Sequence, residues 1–460
     1  MNRRLLVGSL ICLSLILAVF SAVGYVGAET AVTVVVKDSQ GNPISNAVIK
    51  YKGGPVSPGT WFKFGKTGPD GTYTGSLPSG YTYSFRAEYA YTYDEKDVNV
   101  GDSPVTVEFQ TSKITVVLRT CDGVGLEGAK VRYRGSISPG TWQYFGHTGP
   151  DGKVCRELFP GNYWFRVEYM QTKDVKQQDV SVDPVVVFTT TRVTIWFSGK
   201  VQYLGQISTG TWFTFTKPTM EMLPGTFTFR FAGKDKYKLN IEVSGCSLEK
   251  SIIIAELLDH NGDGIEGGKA KYAPGGTWYY LGTTDANGVI IKAVDGKLGN
   301  VKVRMTYNQG SQEKIQYQPS NSIFRFQTVE AVIKLIDHEG SGLPGGAVYQ
   351  GGGYWQFHGY TDENGELRLE MFPWGPYKFR VTYSHTSETK WAYVDTPVVF
   401  QTGMVHWTGD YPKPVKASLG GTWVAFTQDM ELLPGTYKFV FEDSSTEWVT
   451  VTAGEVTYVP

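Results

Sequence analysis

Charge, histidine and cysteine are all scarce in this chain of 460 residues, and its only long apolar run lies at the start. Charged residues make up 19%, and 43 basic side chains are balanced by 44 acidic ones with no basic run, which removes the electrostatic footprint that nucleic acid requires. The six histidines, His147, His260, His338, His358, His385 and His406, are scattered with no pair at metal-ligand spacing. Gly-x-Ser-x-Gly, His-Glu-x-x-His and the phosphate loop are all missing, so nothing marks a catalytic centre. The chain is therefore read as a non-enzyme with no cofactor, no metal and no catalytic residue. Helical periodicity is missing too. In its place stand 55 Gly, 28 Tyr and 24 Phe, a composition suited to twisted sheets joined by tight turns.

The apolar run has the form of a signal peptide over residues 1–28. Arg3 and Arg4 precede Leu5 to Phe20, and Val26-Gly27-Ala28 offers small residues for cleavage. Retained uncleaved, the same run is long enough to act as an anchor. No later stretch would span a membrane, so the expected location is secreted or cell surface. Export also permits disulfides.

The dominant signal is repetition. Gly-Thr-Trp or a near variant recurs at Trp61, Trp142, Trp212, Trp278, Trp355 and Trp423, each followed by a turn and an alternating strand. In the first copy Tyr83, Phe85, Ala87 and Tyr89 share one face, with Arg86 and Glu88 on the other. That parity returns at Tyr163–Tyr169, Val301–Tyr307 and Tyr377–Tyr383, and in shorter form at Phe227–Phe231 and Tyr437–Phe441. One apolar and one polar face mark an antiparallel sheet packed on one side. Copies one, two, four and five carry a Gly-rich first turn, which copies three and six lack. The order long, long, short occurs twice, with half-to-half offsets of 217, 213 and 211 residues, as expected from duplication of a three-copy unit. The expected organisation is all-β, with six antiparallel sandwiches at 29–111, 112–191, 192–250, 251–328, 329–402 and 403–460. The two short copies are expected to lack strands and so to expose sheet edges.

Copy two shows the shared pattern best: Asp122 to Ala129, Trp142, Gly146-His147-Thr148-Gly149-Pro150-Asp151-Gly152 and Pro160-Gly161-Asn162-Tyr163. This resembles the prealbumin-like superfamily, with its carboxypeptidase-regulatory-like and collagen-adhesin B-type modules. The resemblance implies Ig-like sandwiches serving as stalks, spacers or adhesive units, with partners among other surface proteins, further copies of the chain, or glycans. It also implies that the strands bearing Cys121 and Cys155 are neighbours, hence a Cys121–Cys155 disulfide that leaves Cys246 as a free thiol or an intermolecular link. The Lys–Asn bond of collagen-adhesin modules is not matched, because the strand Val107-Glu108-Phe109-Gln110-Thr111 opposite Lys37 has no Asn. Tyr133-Arg134-Gly135-Ser136 copies the terminal motif of a urate-pathway relative, but mid-chain and on a strand, and is read as coincidence.

Three kinds of candidate site remain. Asp259-His260-Asn261-Gly262-Asp263-Gly264 looks like the start of a calcium loop, but Ala270 stands where the bidentate Glu belongs, so a structural turn is expected. The six recurring tryptophans are expected to fill or cap the cores. Arg86, Arg166, Arg230, Arg304 and Arg380 recur on the outward face and are expected to pair with cross-strand carboxylates. Aromatics that vary between copies are the candidates for stacking on sugars: Trp164, Trp374 and Trp391.

Overall fold

The structure, a computed structural model, describes residues 28–55, 57–216 and 218–459. The expected signal peptide thus lies outside the described residues, save for Ala28. Every regular element described is a strand, and no helix occurs among the described residues.

The first repeat sets the plan. Its strands are β1 (Glu29–Lys37), β2 (Val48–Gly53), β3 (Ser57–Lys66), β4 (Thr72–Pro78), β5 (Tyr81–Tyr89), β6 (Thr92–Val100) and β7 (Val105–Gln110). They form a three-stranded sheet, β4-β1-β7, and a four-stranded sheet, β3-β2-β5-β6. β1 pairs antiparallel with β4 and parallel with β7. Alternation places Val32, Val34 and Val36 of β1 against Tyr83, Phe85 and Ala87 of β5, all buried in one core. The opposite parity turns Arg86 outward.

The same division into three and four strands recurs over 112–189, 329–401 and 403–459. The short copies therefore keep their strands, contrary to expectation. What they lack is the first turn, which in each long copy closes on an isolated bridge: Lys37 to Pro43, Arg119 to Gly125, Leu258 to Gly264 and Ile336 to Gly342.

Between the halves the plan changes. The strand Ser247–Leu258 pairs parallel with Thr191–Trp196 through its first residues and with Ile323–Gln327 through its last. One continuous strand thus closes the third repeat and opens the fourth. Its side chains divide accordingly: Ile252 and Ile254 enter the core containing Phe227 and Phe229, whereas Ile253, Ala255 and Leu257 enter the core containing Val303 and Phe324. Burial on both faces explains an apolar run without alternation.

The chain divides into two compact units. One contains the residues through Arg119 with Val124–Val167 and Val175–Phe188. The other contains Thr120–Gly123, Glu168–Asp174 and the residues from Thr189 on. In the second unit Cys121 is bonded to Cys246 across a Cα separation of 5.2 Å, whereas Cys155, in the first unit, is free and exposed. This overturns the Cys121–Cys155 pairing. Their strands are indeed neighbours, but Cys155 lies opposite Thr115, six residues before Cys121, about 20 Å along an extended strand.

Candidate functional site

Each long repeat ends its fifth strand in a two-residue hairpin turn with both residues at positive φ: Ala90-Tyr91, Met170-Gln171, Asn308-Gln309 and Ser384-His385. Such a turn matches strand twist but is costly for residues other than Gly. Groups from the following repeat hold it. Tyr133 Oη donates to the Ala90 carbonyl at 2.5 Å, Tyr203 Oη to Met170 at 2.7 Å, and Gln350 Nε2 to Asn308 at 2.7 Å. Burial pushes both tyrosines up to about 12, so they remain donors at any physiological pH. Tyr133 belongs to the tetrapeptide read above as coincidence, and this backbone bond is its role.

The residue after the turn forms a second contact. Thr92 Oγ1 donates to Tyr89 O and accepts the Phe159 amide at 3.1 Å. Thr172 does the same for Leu223 and Thr386 for Leu433. The amide's own side chain is an apolar knob. Phe159 completes the core of the first repeat, Phe372 that of the fourth and Leu433 that of the fifth. In the fourth repeat Gly310 replaces the threonine, where a Cβ would come within 2.7 Å of Tyr377 Oη.

A third contact uses one carboxylate two residues before each knob. Glu157 accepts Ser39 Oγ at 2.6 Å and the linker Thr111 Oγ1 at 2.6 Å. Glu370 accepts from Thr328 Oγ1 and the His260 amide and meets His260 Nδ1. Glu431 accepts from Thr402 Oγ1 and meets His338 Nδ1 at 2.5 Å. Glu221 accepts Thr190 Oγ1 at 2.5 Å. Ser39, Cys121, His260 and His338 occupy the same place in their first turns, two residues past the bridging position. One position therefore carries a hydrogen bond, a disulfide and two His–carboxylate pairs. Glu370 beside His260 raises the imidazole pKa above its ordinary value.

The calcium-like segment behaves as a turn. Asp259 Oδ1 accepts the Asn261 and Asp263 amides, as Asp38 accepts those of Gln40 and Asn42. Asp259, His260 and Glu370 do bring one ligand atom each within 4.8 Å of one another, so they are the residues that could share a cation. The spacing rule missed them because Glu370 comes from another repeat.

The strand Ser247–Leu258 is pinned by Glu256, whose carboxylate is buried. Lys236 Nζ at 2.6 Å, Tyr237 Oη at 2.5 Å and Arg325 Nε at 2.8 Å converge on it. Burial raises the carboxyl pKa, but the three donors outweigh it and hold it below the usual value.

The recurring tryptophans do not fill the cores. They lie on the outer faces of the four-stranded sheets against cations: Arg86 4.2 Å from Trp61, Arg166 4.8 Å from Trp142, Arg230 4.3 Å from Trp212, Arg304 4.5 Å from Trp278 and Arg380 4.4 Å from Trp355. In the sixth repeat Val440 stands in the arginine's place and Lys416 covers Trp423 at 5.1 Å. A structural role holds, but by cation–π stacking on the polar side. The expected carboxylate pairing is present for Arg86 with Glu95, Arg230 with Asp235 and Arg304 with Glu313. Lys37 meets Glu108, its neighbour on β7, in an ordinary ion pair.

Trp164, Trp374 and Trp391 are 42%, 70% and 65% exposed. They lie in separate settings. Trp164 is on an outward position of Asn162–Tyr169 in the first unit, Trp374 borders Ser311, Gln312 and Glu313, and Trp391 faces outward beside Lys378.

No family model matches the chain, and no curated protein sequence matches it. Among solved structures it is similar to the TIE protein of Bacillus anthracis, at 11% identity and a TM-score of 0.17 over 81% of this chain and 73% of that one. It is also similar to BcpA, the major pilin subunit of Bacillus cereus, at 10% identity and a TM-score of 0.17, covering 94% and 98% of the two chains. SpaD, the major pilin of Corynebacterium diphtheriae, follows at 10% identity and a TM-score of 0.15, covering 79% and 88%.

Proposed function

We propose that the chain is an exported surface spacer, surface-layer component or adhesin, a semi-rigid array of six β-sandwich repeats displayed outside the cell. Its partners are other surface proteins or further copies of itself. The observation that carries this reading is the recurrence of one joint: positive-φ turn, threonine, apolar knob and carboxylate. A joint made of several concerted contacts resists bending far more than a bare linker would. The linkers fit the same reading, since Gln110-Thr111-Ser112 passes from one strand to the next within a single residue.

The test is small-angle scattering from residues 29–460, alongside a variant carrying Glu157→Gln, Glu370→Gln and Glu431→Gln with Thr92→Val and Thr386→Val. The reading expects one well-defined particle for the parent and a flexible ensemble for the variant. A flexible parent, or a variant of unchanged rigidity, overturns it. Antibody labelling of intact source cells tests the location.

A further inference from the structure

The outer faces of the fifth and sixth repeats share a pattern that the first repeat does not have. In the fifth, Trp355 lies opposite Gly351, Gly351 opposite Lys378 and Lys378 opposite Trp391. In the sixth, Trp423 lies opposite Ser418, Ser418 opposite Lys438 and Lys438 opposite Trp448. Each row reads tryptophan, small residue, lysine, tryptophan across four strands. The small residue lets the first indole lie down on the sheet: a Cβ at Gly351 would sit 3.1 Å from the Trp355 ring. The second indole stands on the edge strand, and Trp391 and Trp448 are 65% and 66% exposed. At that edge position the first and third repeats have Asp97 and Asn240 instead.

The charges differ as well. The adjoining row of the fifth repeat is Phe357, Tyr349, Arg380 and Thr389, and that of the sixth is Ala425, Lys416, Val440 and Thr446. Neither row contains a carboxylate. Arg86 and Arg304 meet Glu95 and Glu313 across the strand, but Arg380 meets Thr389, with its guanidinium against Trp355 and Tyr349 and its Nε buried. Lys378 Nζ stands 5.4 Å from the Trp355 ring and 5.8 Å from that of Trp391. A cation with no acidic partner among the described residues, set between two indoles, is complementary to a ligand with flat apolar faces and a negative charge.

We propose that these two faces are binding subsites for an acidic polysaccharide, a polymer of uronic acid or sulfated sugar. The indoles would stack on the sugar rings, and Lys378 and Arg380 in one subsite, Lys438 and Lys416 in the other, would pair with carboxylate or sulfate. The indoles of one row lie three interstrand steps apart, about 14 Å, the span of a short oligosaccharide. Single-stranded nucleic acid also takes aromatics and cations, but it needs a basic groove tracking every phosphate. Two cations per face, in a chain of net charge −1, do not provide one. The proposal is independent of the spacer reading and survives its failure.

The experiment is affinity electrophoresis and calorimetry of residues 29–460 with polygalacturonate and dextran sulfate. Methyl-esterified pectin, polyglutamate and oligodeoxythymidylate serve as comparisons. Saturable binding to either acidic polysaccharide is expected, weaker by about tenfold or more when the charge is esterified or when Lys378→Gln and Lys438→Gln are combined. Trp391→Ala and Trp448→Ala alone should each cost several-fold, and together about a hundredfold, because two linked subsites act by avidity. Unchanged thermal unfolding would show that the variants keep the fold. Absence of binding by the folded chain, full binding by the double tryptophan variant, or equal binding of polyglutamate or oligodeoxythymidylate would each overturn the proposal.

Discussion

At the scale of single residues, the joints depend on polar side chains that finish a neighbour's hydrogen bonds. Thr386 is buried and serves two backbone groups, the Tyr383 carbonyl and the Leu433 amide. Thr386→Val keeps the shape and leaves that amide without an acceptor in a fully buried place, so it should destabilise the chain by about 1–3 kcal/mol in chemical unfolding. His260 gives a pH-dependent counterpart. The groups facing it are Glu370, Glu330 and Asp259, all acidic, and its pKa is raised above the ordinary 6.5. A raised folded-state pKa means that the stabilising charge is fully present below the unfolded value and lost as pH rises through the folded one. The melting temperature of the parent relative to Glu370→Gln should therefore be highest on the acid side of 6.5 and shrink toward pH 8. An NMR titration should find His260 shifted down in the variant. An equal gap at both pH values would contradict the assignment.

At the scale of elements, the strand Ser247–Leu258 makes two repeats depend on one segment. Ile252→Ala and Ile253→Ala point into different cores, and each should cost about 2–5 kcal/mol. Because the two cores share a backbone, calorimetry should show both variants lowering the same transition, whereas two separate transitions would indicate that the repeats unfold independently. Alternation at Tyr83, Phe85 and Ala87 was legible in the sequence, as were the repeats and the outward arginines. The shared strand was not, since Ile252 to Leu257 reads like any strand buried on both faces. The tryptophans were misplaced for a related reason: recurrence suggested a core role, and the recurring outward arginines were matched with carboxylates rather than with indoles. The clasps of Glu157 and Glu370 were out of reach, because each joins residues more than a hundred positions apart. Cys121 failed similarly, its partner lying beyond its own repeat.

At the scale of the whole molecule, the joints have a direction. Each knob belongs to the downstream repeat and completes the core upstream of it: Phe159 enters the core containing Phe109, Phe372 that containing Phe326, and Leu433 that containing Phe400. Truncation should therefore act asymmetrically. Ending the chain at residue 402 removes Leu433 from the fifth core and should destabilise that repeat by about 2–5 kcal/mol, as Leu433→Ala should within the full chain. Starting the chain at residue 112 removes only a socket, leaving Phe159 exposed while the second repeat keeps its own core of Tyr133, Phe145 and Phe165. Proteolysis and unfolding of the two truncated chains read the difference, and equal losses from both ends would show that the knobs do not carry the coupling. The disulfide supplies an internal check on both chains. Residues 29–402 and 112–460 both retain Cys121 and Cys246 and should present one reactive thiol, Cys155, before reduction, and three afterwards. A chain that unfolds from its C-terminal end should then expose its fifth repeat to protease while its thiol count stays at one, because the bond joins residues far upstream of the damage.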